Sequence, residues 1–177
     1  LTVLAMDHRS QFEDLCGALG ADPSRIPAFK ALALRAVDRV AQGDRRFGVL
    51  LDGRYGMRGL EAAADFPYWI GRPIELPGSR PLAFESSADV ATELRTWPRN
   101  HVVKCLVFYR LDDPEELLQQ QDRQLLRLQD ACRKTGHELL VEVIASRHGE
   151  VDAGTAADAI KRLYDHGMKP DWWKLEP

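Results

Sequence analysis

One stretch of this sequence, Val102-Val103-Lys104-Cys105-Leu106-Val107-Phe108-Tyr109, is apolar almost without interruption, and it limits the possible folds more than any other. A strand that is apolar at nearly every position must be covered on both faces, which is the condition of a strand inside a parallel sheet. Five further segments rich in branched apolar or aromatic residues share its character: Thr2–Met6, Phe47–Leu51, 73–76, 138–144 and Trp172–Leu175. Most are followed by loop residues and then a helical pattern, so strand and crossover alternate along the chain.

The crossovers have readable ends. After Asp113-Pro114-Glu115-Glu116 a helix is expected, with Asp113 as its cap, Pro114 at the first helical position and the glutamates at the positive end of the dipole. Gly136 ends it. Another helix begins near Asp152, carries Ala156, Ala157, Ile160, Leu163 and Tyr164 at helical spacing, and stops at Gly167. The first crossover is longer, with helical stretches at 11–19 and 28–41 joined by a linker at 20–27. The stretches 58–64 and 87–94 read as short and irregular. The apolar stripes are core faces rather than cofactor boxes.

Repeated strand, crossover and strand means parallel pairing through right-handed connections, which leaves a doubly wound sheet or a barrel. Polar residues sit at or just after the C-terminal end of nearly every strand: Asp7-His8-Arg9, Asp52-Gly53-Arg54, Glu75 with Ser79-Arg80, Tyr109-Arg110, Glu142, and Lys174 with Glu176. A doubly wound sheet recruits such groups only at its switch point, whereas a barrel gathers them from all its strands. The expected fold is therefore α/β, a (β/α)8 TIM barrel, as a single domain over 1–177 that stops after about six strands.

Charges inside strands are the next clue, because an unpaired buried ammonium or carboxylate is expensive. Lys104, Glu142 and Lys174 fall in the fourth, fifth and sixth strands. Neighbouring strands lie ~4.8 Å apart, so the three are expected to project into one cavity as an alternating plus, minus, plus row. Such a row has a chemical use. A lysine attacks a ketone only as the free amine, a second nearby cation favours that form, and a carboxylate between them can move protons as a carbinolamine dehydrates. Taken singly, each lysine is as readily a snorkelling or paired structural residue; together they favour function.

The segments Leu4-Ala5-Met6-Asp7-His8-Arg9, Leu50-Leu51-Asp52-Gly53-Arg54-Tyr55-Gly56, Val103-Lys104-Cys105-Leu106-Val107-Phe108-Tyr109, Leu140-Val141-Glu142-Val143 and Trp173-Lys174-Leu175-Glu176-Pro177 resemble successive strands of the tagatose-bisphosphate aldolase family, class I aldolases on a TIM barrel. Including Arg72-Pro73-Ile74-Glu75-Leu76-Pro77-Gly78-Ser79-Arg80-Pro81 and Pro170-Asp171-Trp172-Trp173-Lys174, the chain is most similar to the aldolase-like domain fused behind a sugar kinase in bacterial proteins of myo-inositol catabolism, which are named for 5-dehydro-2-deoxygluconate kinase activity. The resemblance implies that Lys174 is the Schiff-base lysine and Glu142 the acid/base, with Asp7 and Lys104 at substrate-contacting positions. It implies reversible cleavage of 2-deoxy-5-keto-gluconate 6-phosphate to dihydroxyacetone phosphate and malonate semialdehyde. The protonated imine is the electron sink there, so no metal or other cofactor is required. Two departures imply different sugar contacts: His8 stands where these aldolases usually have glutamine, and Gly53-Arg54 replaces a Pro-Glu pair. Arg54 and Arg80 are expected as anion contacts at the barrel mouth, and His8 either polarises a substrate oxygen or is a hydrogen-bonded structural residue.

Composition narrows the partners. A net charge of -3, from 24 basic and 27 acidic residues with no basic run, gives no footprint for nucleic acid or an anionic membrane; a small phosphorylated sugar acid is the expected partner. No apolar stretch approaches the ~20 residues of a membrane helix, and Leu1-Thr2-Val3-Leu4 lacks the charged flank of a signal peptide, so the cytoplasm is the expected compartment. Cys16, Cys105 and Cys132 are too scattered for a disulfide framework or a zinc site. Gly-x-Gly-x-x-Gly and Walker motifs are missing from the sequence. A first residue other than methionine, and a chain ending at the sixth strand, lead to the expectation of a piece of a longer protein, with a fused kinase, poor sugar binding on its own, and strand edges that favour a homo-oligomer. Two other readings stay open: a divalent-metal lyase or isomerase built on Asp7, Asp52, Glu75, Glu142 and Glu176, and a non-catalytic domain that stabilises or regulates the kinase.

Overall fold

β-Branched and aromatic runs form the strands, and amphipathic stretches form the helices between them. The computed structural model describes residues 1–64, 66–86 and 89–176, and shows an α/β fold that divides into two units, Leu1–Pro73 and Ile74–Pro177.

In the first unit β1 (Thr2–Met6), β2 (Phe47–Leu51) and β3 (Trp69–Pro73) run parallel, with Ala5 opposite Leu50 and Leu50 opposite Gly71. The helices are α1 (Ser10–Leu19), α2 (Ile26–Ala41) and α3 (Met57–Ala62). The 20–27 linker contains a single tight turn, Pro23–Arg25, capped by the Asp22 carboxylate. Met6, Val49, Leu51 and Ile70 from the strands pack with Leu34 and Leu60 from the helices. The buried stripe of α2 reads Ile26, Lys30, Leu34, Val37, Ala41, so one of its core positions is a lysine. The third strand lies at 69–73 rather than at the expected 73–76. Its Gly-Arg-Pro ending reads locally as a turn, yet close packing explains the glycine: a Cβ on Gly71 would run into the Leu50 side chain and meet the Trp69 ring at 2.7 Å.

In the second unit β4 (His101–Phe108), β5 (Leu139–Ile144) and β6 (Trp172–Leu175) are also parallel. Residues 74–76 lead into it as an extended segment: the Ile74 amide donates to the Lys104 carbonyl at 3.0 Å, and Glu75 forms an antiparallel bridge with Phe84. The helices are α4 (Val90–Leu94), α5 (Glu115–Thr135) and α6 (Thr155–Asp165). Successive strand residues face opposite ways. Val103, Cys105, Val107, Val141 and Val143 pack with Leu125, Leu128 and Leu163 from the helices. The alternate positions carry Lys104, Glu142 and Lys174. Trp173 follows the rule, with its ring 5.8 Å from that of Tyr164 on α6. Leu125 is fully buried in this core, and truncation of such a leucine to alanine costs about 2–5 kcal/mol.

Three expectations about helices change. Asp113 does not cap α5; its carboxylate takes Arg80 and the Arg110 amide, and Pro114 itself occupies the capping position. The supposedly irregular stretch 58–64 belongs largely to the short helix α3. Of the stretch 87–94, positions 87 and 88 lie outside the described residues, and Val90–Leu94 is a helix capped by the Asp89 carboxylate. Among the described residues no helix is long and apolar enough to cross a membrane.

Candidate active site

The register of the second unit sets Glu142 directly opposite Lys174, with Leu106 opposite Glu142 on the other side. Lys104 is on the same face of β4 as Leu106, one pleat earlier. From this staggering follows a continuous charge row. Lys174 Nζ lies 2.6 Å from Glu142 Oε1, Lys104 Nζ lies 2.9 Å from Glu142 Oε2, and Lys104 Nζ lies 3.4 Å from Glu75 Oε1. The alternating row expected from sequence is present, and Glu75 lengthens it to minus, plus, minus, plus. Glu75 is itself held by the Leu106 amide, which donates to Oε2 at 3.1 Å.

Access distinguishes the members of the row. The side chains of Lys104, Glu75 and Glu142 are 3%, 4% and 7% exposed, whereas that of Lys174 is 40% exposed. One amine therefore faces solvent while its carboxylate partner is buried and held by a second ammonium. Glu142 lies within ion-pair distance of both lysines at once, so a proton leaving Lys174 has a carboxylate in contact to receive it. Two residues beyond Lys174, the Glu176 carboxylate accepts from the Ala145 and Ser146 amides at 2.8 and 3.0 Å and from the Ser146 hydroxyl. This ties the end of β6 to the turn after β5. Pro177, the last residue of the Trp173-Lys174-Leu175-Glu176-Pro177 motif, lies outside the described residues.

The first unit holds a second charged centre, which sequence reading did not single out. Lys30, from the buried stripe of α2, pairs with Asp52 at the end of β2 and donates to the His8 carbonyl at 2.7 Å. Both side chains of the ion pair are 0% exposed. Burial pushes the Lys30 amine below its ordinary value, against the pull of the Asp52 carboxylate. The other Asp52 oxygen accepts from the Tyr55 amide at 2.7 Å, closing the turn after β2. Lys30 thus fastens the loop after β1 to the loop after β2. Its position on an otherwise apolar stripe was the available signal.

The remaining expected site residues divide between the units. Asp7 is buried and His8 exposed at the end of β1, with the His8 ring edge-on to Phe12 at 6.3 Å. Arg54 is exposed, 3.3 Å from Glu13 and over the Tyr55 ring. Arg80 belongs to the second unit and is held by the Asp113 carboxylate. The oxygen-rich array weighed for a divalent cation is otherwise engaged: Asp52 with Lys30, Glu75 and Glu142 with Lys104, Glu176 with the 145–146 turn. Among the described residues no group of three or more carboxylates, histidines or cysteines is placed to hold a metal ion.

Comparison with known families matches the whole chain, residues 1–177, to one family, described as an uncharacterized protein conserved in bacteria (DUF2090). The chain belongs to the DUF2090 family. No curated protein matches it. For a DUF2090 chain, the arrangement of Lys174, Glu142 and Lys104 is thus the most direct guide to chemistry.

Proposed function

We propose that this DUF2090 chain is an imine-forming aldolase domain on a TIM-barrel scaffold, with Lys174 as nucleophile and Glu142 as acid/base. The observation that carries the reading is the solvent-reached Lys174 amine in contact with a buried carboxylate that a second lysine holds in place. The resemblance of the strand motifs to tagatose-bisphosphate aldolases supports it.

The chemistry runs from these side chains. The neutral Lys174 amine adds to a ketone carbon; Glu142 takes the proton that the nitrogen loses, solvent supplies one to the new alkoxide to give the carbinolamine, and Glu142 then returns its proton to the departing hydroxyl, so that water leaves a protonated imine. Glu142, again a carboxylate, takes the proton from the substrate's β-hydroxyl, the adjacent carbon–carbon bond breaks toward the aldehyde product, and the electron pair is taken up by the iminium as an enamine. Protonation of the enamine carbon and hydrolysis release the ketone product and restore Lys174. Lys104, bridging Glu142 and Glu75, keeps the carboxylate aimed at Lys174. The substrate that fits the resemblance is 2-deoxy-5-keto-gluconate 6-phosphate, cleaved to dihydroxyacetone phosphate and malonate semialdehyde, in myo-inositol catabolism and beside a fused kinase.

Borohydride reduction in the presence of dihydroxyacetone phosphate tests this. A stable adduct on the tryptic peptide that contains Lys174, insensitive to chelator and abolished in Lys174→Met, is the expected result. Aldol cleavage that survives Lys174→Met overturns it; absence of any adduct and any turnover in the kinase-fused protein points to a non-catalytic domain instead.

A further inference from the structure

Directly after β5, residues Ser146–His148 form one tight turn, and its fastening is out of proportion to a surface connection. From one side Glu176 takes the Ala145 and Ser146 amides and the Ser146 hydroxyl. From the other, the Arg110 guanidinium donates to the Ala145 carbonyl at 3.2 Å and the Glu150 carbonyl at 2.8 Å. Gly149 lies so close to it that a Cβ there would meet the guanidinium carbon at 2.6 Å. Two side chains project from this clamped turn onto the Phe108 ring: the Arg147 guanidinium 5.3 Å from the ring centre, and the His148 ring edge-on, also at 5.3 Å.

Phe108 lies on the same face of β4 as Lys104 and Leu106, and Leu106, Glu142 and Lys174 are level in the register. Two residues of strand separate that level from Phe108, about 7 Å. The Arg147 cation therefore stands ~7 Å past the level of the reactive amine and one to two strand spacings of ~4.8 Å to its side, a span on the order of 10 Å that a short keto-acid chain with a terminal oxyanion fills. The other arginines here are engaged, Arg80 with Asp113 and Arg110 with Asp112. Among the described residues no carboxylate pairs with Arg147. Loss of solvent around the ring, and then the Arg80, Arg147 and Arg110 charges, hold His148 below its ordinary value against the opposing Asp113, a sign of local positive potential.

We propose that the turn presents an oxyanion subsite, with Arg147 as its cation and His148 as a second donor, for the phosphate or carboxylate of the ketone that Lys174 engages. The inference rests on the imine reading for the ketone end only; the oxyanion site is a property of the turn itself.

Two measurements keep the two ideas separable. In the first, inorganic phosphate and, separately, acetate are titrated into the protein while the His148 ring resonances are followed by NMR. A saturable shift that Arg147→Gln weakens about 10- to 100-fold is expected for a charge-assisted contact. Unmoved His148 resonances with both anions, or a shift that Arg147→Gln leaves intact, overturn the subsite whatever happens at Lys174. In the second, borohydride trapping compares dihydroxyacetone phosphate, levulinate and neutral dihydroxyacetone. Arg147→Gln is expected to raise the half-saturating concentration of a charged ketone and leave that of dihydroxyacetone unchanged; which charged ketone is affected identifies the phosphate or carboxylate as the occupant. An equal effect on all three shows a general disturbance and overturns the proposal. Failure of all three to label the wild-type protein, with a phosphate-sensitive His148, sinks the imine reading and leaves the oxyanion site standing.

Discussion

Each unit of this chain buries a lysine against a carboxylate at the C-terminal end of its strands, yet the two are built for different ends. Lys30 and Asp52 are sealed at 0% exposure, and beyond each other they hydrogen-bond to the His8 carbonyl and the Tyr55 amide. Glu142 also lies buried, but one of its two lysines, Lys174, is 40% exposed. A closed pair holds loops together and offers nothing to a ligand. An open pair, backed by Lys104 and Glu75, keeps one amine within reach of a ligand while the carboxylate beside it stays fixed. Ion pairing alone therefore does not mark a reactive lysine; the difference lies in whether the ammonium's remaining hydrogens point at protein or at solvent.

The largest expected effect breaks the comparison at its open end. If Lys174 forms the imine as proposed, Lys174→Met should remove the borohydride adduct and lower aldol cleavage by at least about a thousandfold. The melting midpoint in denaturant should change little, because Glu142 keeps Lys104. At the closed end the outcome is reversed. Lys30→Met leaves the Asp52 carboxylate buried without its cation, a change that costs about 3–5 kcal/mol when a buried pair loses one partner. Chemical denaturation would read this as a lower midpoint. A Lys30→Met protein of wild-type stability would show that the closed pair does not hold the first unit together.

Much of this was legible in the sequence. Five of the six strands fall where branched or aromatic runs predict them, most clearly β2, β4 and β5, which are buried at nearly every position and so leave an apolar run that needs no neighbour to be recognised. β3 is hard to place from sequence because Gly71 and Pro73 carry turn-like local signals, and only the packing of Gly71 against the Leu50 and Trp69 side chains shows why glycine is wanted there. The Lys104, Glu142, Lys174 row was readable because a charge inside a strand stands out. Lys30 was not read, because a lysine on a helix looks solvated until the stripe it interrupts is followed residue by residue. Asp113 had the right type for a cap, and only its contacts with Arg80 and Arg110 reveal the competing use.

A smaller effect sharpens the row at its buried end. Glu75→Gln removes the charge that Lys104 meets at 3.4 Å while leaving an amide oxygen for the Leu106 N–H. Lys104 retains Glu142, so the expected cost is about 1–2 kcal/mol in denaturant midpoint. The telling measurement is the pH profile of cleavage. If Glu75 helps position Lys104, the profile shifts in Glu75→Gln and Glu75→Asp restores part of it; a simple structural role lowers stability and leaves the profile where it was.

The smallest expected effect concerns the clamp beside the open pair. Burial alone would raise the Glu176 carboxyl, but the hydrogen bonds from Ser146 and from the Ala145 amide outweigh it and hold the group below its ordinary value of 4.5. A carboxyl depressed in the folded chain contributes stability above its unfolded value, and that contribution is lost as pH falls through the folded value. The 145–148 turn should therefore be clamped at and above pH 4.5 and loosen only on further acidification. The amide protons of Ala145 and Ser146 report this directly, moving upfield in NMR spectra as Glu176 is protonated. Glu176→Gln should abolish that titration step and, above pH 4.5, reproduce the weakened phosphate response expected at His148. Should the variant keep both the titration step and the full response, the turn is held by Arg110 alone, and the open pair has lost its link to the surface that Arg147 presents.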